Sequence, residues 1–247
     1  MKNNLLKELY MGDCLEYMKM IKDKSIDMIL CDLPYGITKC KWDKEIDLNK
    51  LWQQYNRIIK DDGAILLFAV EPFASKLRLS NLKMYRYDWI WEKTSATGHL
   101  NANKMPLRAN ENILVFYKKL PTYNPQKTQG HKPMHSYTKY LKTQNNTELY
   151  GRMNKVLSGG GSTERFPRNI IKFASDKQKI KLHPTQKPIA LCEYLIKTYS
   201  NEGDIILDNC MGCGTTGIAA INLNRHFRGC EIDEKYYEIC CDRILSK

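Results

Sequence analysis

Between Asp204 and Glu231 the chain reads as a short apolar strand, a glycine-rich turn, a helix and a second strand ending in an acid. The turn is Asp208-Asn209-Cys210-Met211-Gly212-Cys213-Gly214-Thr215-Thr216. Glycines at a strand-to-helix junction allow positive φ and let backbone approach a ligand closely. Glu231 follows Asp208 by 23 residues. A carboxylate at that point can accept hydrogen bonds from two vicinal ribose hydroxyls. A lone GxG is often only a tight turn, but strand, glycine turn, helix, strand and acid in this order point to an α/β sheet with a nucleoside site at its strand ends. No Lys follows the glycines, as a phosphate loop would require, and the turn holds no basic side chain. A nucleoside ligand without a phosphate fits, and S-adenosylmethionine is such a ligand.

Strand and helix signals alternate elsewhere too, which argues for a parallel sheet. Leu9-Tyr10-Met11 leads into Gly12-Asp13-Cys14 and a short helical stretch, and Asp27 to Cys31 is an apolar run. A helix is expected over Leu48–Ile59, a buried strand over Ala64–Val70, and a helix near Pro72–Leu82. Strands follow at Tyr87–Trp91 and Ile113–Tyr117. After a long irregular segment, Pro188 opens a helix ahead of the glycine unit, and Glu234 to Leu245 forms the last one.

Charge is distributed unevenly. The net charge is +12, and residues 118–181 hold fourteen Lys and Arg against Glu148, Glu164 and Asp176. The rest of the chain is close to neutral, with 25 basic and 24 acidic residues. Tyr123, Tyr137, Tyr140, Tyr150 and Phe166 lie in the basic segment, so it has groups for phosphates and for bases. Lys127, Lys132, Lys139, Lys142, Arg152, Lys155, Arg165 and Arg168 are the candidate nucleic-acid contacts. A solvated Lys-rich surface is the plainer alternative.

No run approaches the roughly 18 apolar residues of a membrane helix. The first thirty residues carry charges throughout, without a signal-like apolar core, so a cytoplasmic protein is expected. Nine cysteines, an odd number, suit a reducing compartment. Cys210 and Cys213 form C-x-x-C, with His226, Cys230, Cys240 and Cys241 nearby. Their spacing matches no common zinc pattern, and no metal is expected.

A second loop, Asp32-Leu33-Pro34-Tyr35-Gly36, closes the Asp27–Cys31 run. By itself it could be only a turn with a favourable Asp and Gly. It becomes specific if the substrate is an exocyclic amine, whose lone pair is delocalised into its ring. The Asp32 carboxylate and the Leu33 carbonyl could accept its two N–H groups and aim the lone pair at a sulfonium methyl. Tyr35 could stack on the base.

These loops, with His183-Pro184-Thr185-Gln186-Lys187-Pro188, resemble the motif set of the β-group DNA amino-methyltransferases. Catalytic motif, target-recognition region and cofactor loop occur in that family's order, from about Gly12 to Leu245. The resemblance implies a permuted, Rossmann-like S-adenosylmethionine-dependent methyltransferase fold, a seven-strand mixed sheet with an inserted recognition region. Residues 1–117 and 183–247 would form the catalytic domain and 118–182 the insertion. Asp32, Leu33, Pro34 and Tyr35 would be catalytic. Asp13, Cys14, Asp32, His183, Lys187, Pro188, Asp208, Met211, Gly212, Gly214, Thr215 and Glu231 would hold the cofactor. Trp91-Glu92-Lys93 and Asn110-Glu111-Asn112-Ile113 resemble flanking motifs without a defined role. Three residues depart from the family pattern: Leu33 replaces its first Pro, Asn209 a Pro and Cys210 a Phe.

The expected reaction is methylation of adenine N6 in double-stranded DNA, with the base flipped out of the duplex. Cytosine N4 is the alternative, since the initial Asp favours adenine only imperfectly. An RNA methyltransferase and a degenerate DNA-binding relative are more distant. A homodimer and a companion restriction endonuclease are left open as partners.

Overall fold

A computed structural model of the chain describes residues 5–36, 43–135, 137–139, 157–175 and 186–246. Its contacts divide into two units, Met1–Asn124 with Asn169–Lys247, and Pro125–Arg168.

The first unit is built on β1 (Lys7–Met11), β2 (Ile26–Asp32), β3 (Ile59–Ala69), β4 (Tyr85–Thr97) and β5 (Arg108–Phe116). Further strands are β8 (Ile170–Phe173), β9 (Ile205–Asp208) and β10 (His226–Glu231). They pair in the order β1-β10-β9-β2-β3-β5-β4-β8. All neighbours are parallel except at β5, which runs antiparallel to β3 and β4. The parallel sheet expected from alternation is thus a mixed one, as the family resemblance implies. Among the described residues it carries eight strands rather than seven. The extra one, β8, comes from residues assigned by sequence to the insertion. Ile170-Ile171-Lys172-Phe173 is apolar at three of four positions but too short to show a strand period within an irregular segment.

Among the described residues six helices cover the sheet: α1 (Cys14–Met20), α2 (Leu48–Ile58), α3 (Phe73–Ser80), α4 (Ile189–Tyr199), α5 (Thr215–Asn222) and α6 (Glu234–Leu245). Both faces of the central strands are buried, which explains their unbroken apolar runs. Ile29, Cys31, Ile65, Leu67 and Ala69 pack with Tyr17, Leu51, Tyr55 and Leu77 from α1 to α3. Met28, Leu30, Ala64, Leu66 and Phe68 pack with Leu191, Leu195, Ala219 and Ile244 from α4 to α6. Among the described residues no helix is long and apolar enough to cross a membrane.

In the second unit, β6 (Tyr137–Lys139) and β7 (Leu157–Gly159) form an antiparallel ribbon. An isolated bridge joins Thr128 to Arg165.

Candidate active site

The sheet brings the sequence-predicted loops to one edge. β1, β2, β4, β9 and β10 all end there, while β5 begins there. A cavity of about 950 Å³ opens at this edge, lined by Gly12, Asp32, Phe68, Glu111, Asp208 and Glu231, among others. That is room for a nucleoside-sized ligand and a second flat ring beside it.

The glycine turn is held by its own geometry. Gly212 and Gly214 have φ of +53° and +77°. A Cβ on Gly214 would lie 3.0 Å from both Cys240 Sγ and Ile244 Cδ1. Glycine is required there for conformation and for space. Glu231 is 8% exposed and fixes the turn through backbone donors. Its Oε2 accepts from Gly212 N–H at 2.8 Å, and its Oε1 accepts from Ile232 and Asp233 N–H at 2.9 Å each. Burial pushes this carboxyl up and the three donors pull it back. A carboxylate offers about four acceptor sites, so capacity remains for a ribose hydroxyl. Asp13 caps α1, its Oδ1 accepting from Leu15 and Glu16 N–H at 2.8 and 3.1 Å. Cys14, Met211 and Thr215 are buried and line the cavity. The chain's own residues therefore fit an adenosyl ligand.

The departures from the family pattern have structural partners. The Leu33 side chain is buried in the core under α1 to α3. Asn209 accepts a 2.5 Å hydrogen bond from the buried Tyr55 hydroxyl of α2, which ties the cofactor turn to that helix. The Cys210 thiol meets those of Cys14 and Cys31. Among the described residues no group of three or more His, Cys, Asp or Glu is arranged to hold a metal ion.

Asp32, the last residue of β2, has both oxygens engaged. Its Oδ1 accepts from the Tyr35 hydroxyl at 2.5 Å, and Lys187 Nζ donates to its Oδ2 at 2.6 Å. The Tyr35 ring rests 5.2 Å from that of Phe73. Lys187 also lies 3.1 Å from Glu111 Oε2, and Lys93 lies 2.5 Å from Glu111 Oε1. Two carboxylates and two ammoniums thus alternate in a chain of zero net charge, with Lys187 over the Phe68 ring. Burial pushes the Asp32 carboxyl above its usual range, with Lys187 opposing. Burial also acts against Glu111, but Lys187 and Lys93 outweigh it and hold that carboxyl low. Burial would lower Lys187; its two carboxylate partners hold it above its ordinary value.

Glu111 and Lys93 are site residues that sequence reasoning left without a role. No local signal marks them: Lys93 lies within β4 beside Glu92, and Glu111 sits between Asn110 and Asn112 ahead of the apolar run of β5. Pro188 is buried at the start of α4, next to Lys187. His183 lies outside the described residues, as do Lys142, Arg152, Lys155 and the side chain of Lys139. Of the other basic residues singled out, Lys127 pairs with Glu164 at 2.9 Å and sits 4.9 Å over the Phe166 ring. Arg165 donates to the carbonyls of Lys132, Ser162 and Glu164, and so braces its own loop. Lys132 and Arg168 are exposed.

The fold and the site define a methyl-transfer enzyme with a nucleoside-type cofactor. The sequence profile of the DNA methylase family matches residues 26–242, and the chain belongs to that family. S-Adenosylmethionine is the family's methyl donor and DNA its substrate. The chain is 27% identical to the type II methyltransferase M.HpaI of Haemophilus parainfluenzae, over 98% of this chain and 75% of that one. It is 28% identical to the DNA adenine methyltransferase YhdJ of Escherichia coli (strain K12), over 98% and 83%. Two solved structures share the fold. The M1.HpyAVI–SAM complex has a TM-score of 0.64 at 24% identity, over 96% of this chain and 98% of the other. The cytosine-N4-specific PvuII DNA methyltransferase has 0.68 at 16%, over 98% and 88%.

Asp208 supplies a pH dependence. Burial pushes its carboxyl up to about 7, against hydrogen bonds from Thr216, the Cys210 N–H and Cys31. A cationic ligand in the cavity favours the ionised form, so binding below that pH must also remove a proton. Calorimetry should show affinity for S-adenosylmethionine rising about tenfold from pH 6 to pH 8 and then levelling. The same rise in Asp208→Asn would place the titrating group elsewhere.

Proposed function

We propose that this chain transfers a methyl group from S-adenosylmethionine to N6 of an adenine in double-stranded DNA. The observation that carries this reading is the position of Asp32. A carboxylate at the head of the Asp-Leu-Pro-Tyr loop lines the same cavity as Asp208 and Glu231. The adenine specificity of the relative YhdJ supports the choice of base.

The cofactor supplies an electrophilic methyl on sulfur; the protein supplies orientation. An exocyclic amine can take the place of the Tyr35 hydroxyl on Asp32 Oδ1. That exchange frees the Tyr35 ring to cover the base, while Lys187 keeps its hold on Oδ2. With the amine's two hydrogens on Asp32 and the Leu33 carbonyl, its lone pair faces the cofactor side of the cavity. Methylation would place positive charge on the amine nitrogen beside the Asp32 carboxylate. The carboxylate stabilises that charge and accepts the proton the amine then loses. Residues 118–182 are proposed as the target-recognition segment, with Lys132 and Arg168 available to phosphates.

The test is incubation with S-adenosylmethionine and unmodified genomic DNA, followed by nucleoside analysis and single-molecule sequencing. N6-Methyladenine confined to one short sequence is expected. N4-Methylcytosine alone would overturn the adenine reading, and RNA as the only methylated polymer would overturn the DNA one.

A further inference from the structure

The turn between β4 and β5, residues 98–107, belongs to neither the cofactor loop nor the basic segment. It is nonetheless built. Gly98 has φ +96°, and a single 3₁₀ turn covers His99–Asn101. Lys104 and Met105 N–H donate to the Asn101 carbonyl at 2.8 and 3.0 Å. Thr97 pairs with Arg108 at the base. On this scaffold the apolar side chains point into solvent. Leu100 is 101% exposed, Met105 58% and Leu107 37%. One exposed Leu needs no explanation. Three on one ordered tip, without packing partners in either core, do. Between Thr94 and Asn110 the only charged residues are Lys104 and Arg108, both cationic. The tip therefore combines apolar surface with two positive charges and no acid.

Its location gives this a meaning. Ser95, Ala96, Thr97 and Arg108, at the root of the hairpin, line the cavity that contains Asp32 and Glu231. A base entering that cavity leaves a gap in the duplex immediately outside it. Unstacking a base costs a few kcal/mol, and apolar side chains are the groups that wedge into opened base steps. We infer that the β4–β5 tip is a DNA-docking element: Lys104 and Arg108 hold the phosphates flanking the target, and Leu100 enters the stack where the target base was. This rests on the DNA methyltransferase reading above and adds to it a surface outside the basic segment.

The experiment compares wild type and Leu100→Ala on two duplexes carrying the target sequence mapped with wild type. One is fully paired; in the other the target adenine faces an abasic site, so that little pairing must be broken. Leu100 touches no core residue, so the melting temperature should not change. On the paired duplex, Leu100→Ala should lower single-turnover methylation ten- to a hundredfold. On the abasic duplex it should come within about threefold of wild type, and Leu100→Met should stay near wild type on both. Lys104→Ala and Arg108→Ala should each reduce the slope of log affinity against log salt by about 1. Equal rates for wild type and Leu100→Ala on the paired duplex, or equal losses on both duplexes, would overturn the wedge. A fall in oligomeric state on Leu100→Ala, with methylation of the paired duplex unchanged, would assign the tip to contact between copies and also overturn it. Failure of wild type to methylate any duplex would instead remove the underlying reading.

Discussion

Asp32→Ala should lower methyl transfer to DNA by about a thousandfold or more, while affinity for S-adenosylmethionine changes less than tenfold. The loss is large because one carboxylate serves twice. It accepts a hydrogen bond that orients the amine, and it faces the charge that grows on nitrogen in the transition state. The cofactor turn should be spared. Asp208 and Glu231 are anchored by Cys210, Gly212, Ile232 and Asp233, none of which depends on Asp32. Lys187 would keep Glu111, 3.1 Å away, as its counter-charge. Single-turnover transfer of a labelled methyl group, with calorimetry for the cofactor, separates the two quantities. A variant that still methylates within tenfold of wild type would remove Asp32 from the chemistry. Equal losses in rate and cofactor affinity would make it a binding group instead.

Tyr35 shows where sequence reasoning stops. Its place beside Asp32 is legible, because a strand ending in Asp-Leu-Pro-Tyr must project both residues at the sheet edge. That its hydroxyl is bonded to Asp32 Oδ1 and its ring leans on Phe73 is a fact of packing, set by a helix 38 residues later. The cofactor unit was readable for the opposite reason. Its strand, positive-φ glycines, helix and terminal acid are local, and each carries its own pattern. Strand direction was not local: the periodicity of Ile113 to Phe116 is the same whichever way β5 runs. The ion-pair chain was hardest to see. Lys93 and Glu111 come from two strands of one hairpin, while Lys187 lies 76 residues beyond Glu111, and no pattern within any one element links them. The substitutions Leu33, Asn209 and Cys210 look like losses against the family motif. In the fold each meets a partner, in the core, on Tyr55 and among Cys14 and Cys31.

Lys187→Met should destabilise the protein by about 3 kcal/mol at pH 8, because breaking a buried ion pair strands the remaining charge. Lys93 still neutralises Glu111 at 2.5 Å, so the stranded group is Asp32. Burial already pushes the Asp32 carboxyl up, and Lys187 is the charge that opposes this. Without Lys187 its folded pKa climbs further above the unfolded value. The folded state then binds more protons than the unfolded state between those two pKa values, so stability falls as pH rises through that window. The deficit of Lys187→Met should accordingly shrink as pH is lowered from 8 toward 5. Adding Asp32→Asn, which removes the stranded charge, should restore most of the loss at pH 8. Urea unfolding of the two single variants and the double variant at both pH values forms a closed cycle. A Lys187→Met protein as stable as wild type at pH 8 would show that water entering from the cavity already solvates Asp32. A deficit independent of pH and of Asp32→Asn would mean that the lysine acts through packing of its stem on Phe68 and not through its charge. The expected coupling instead means that one ammonium both stabilises the fold and keeps Asp32 ionised as the acceptor the proposed reaction needs.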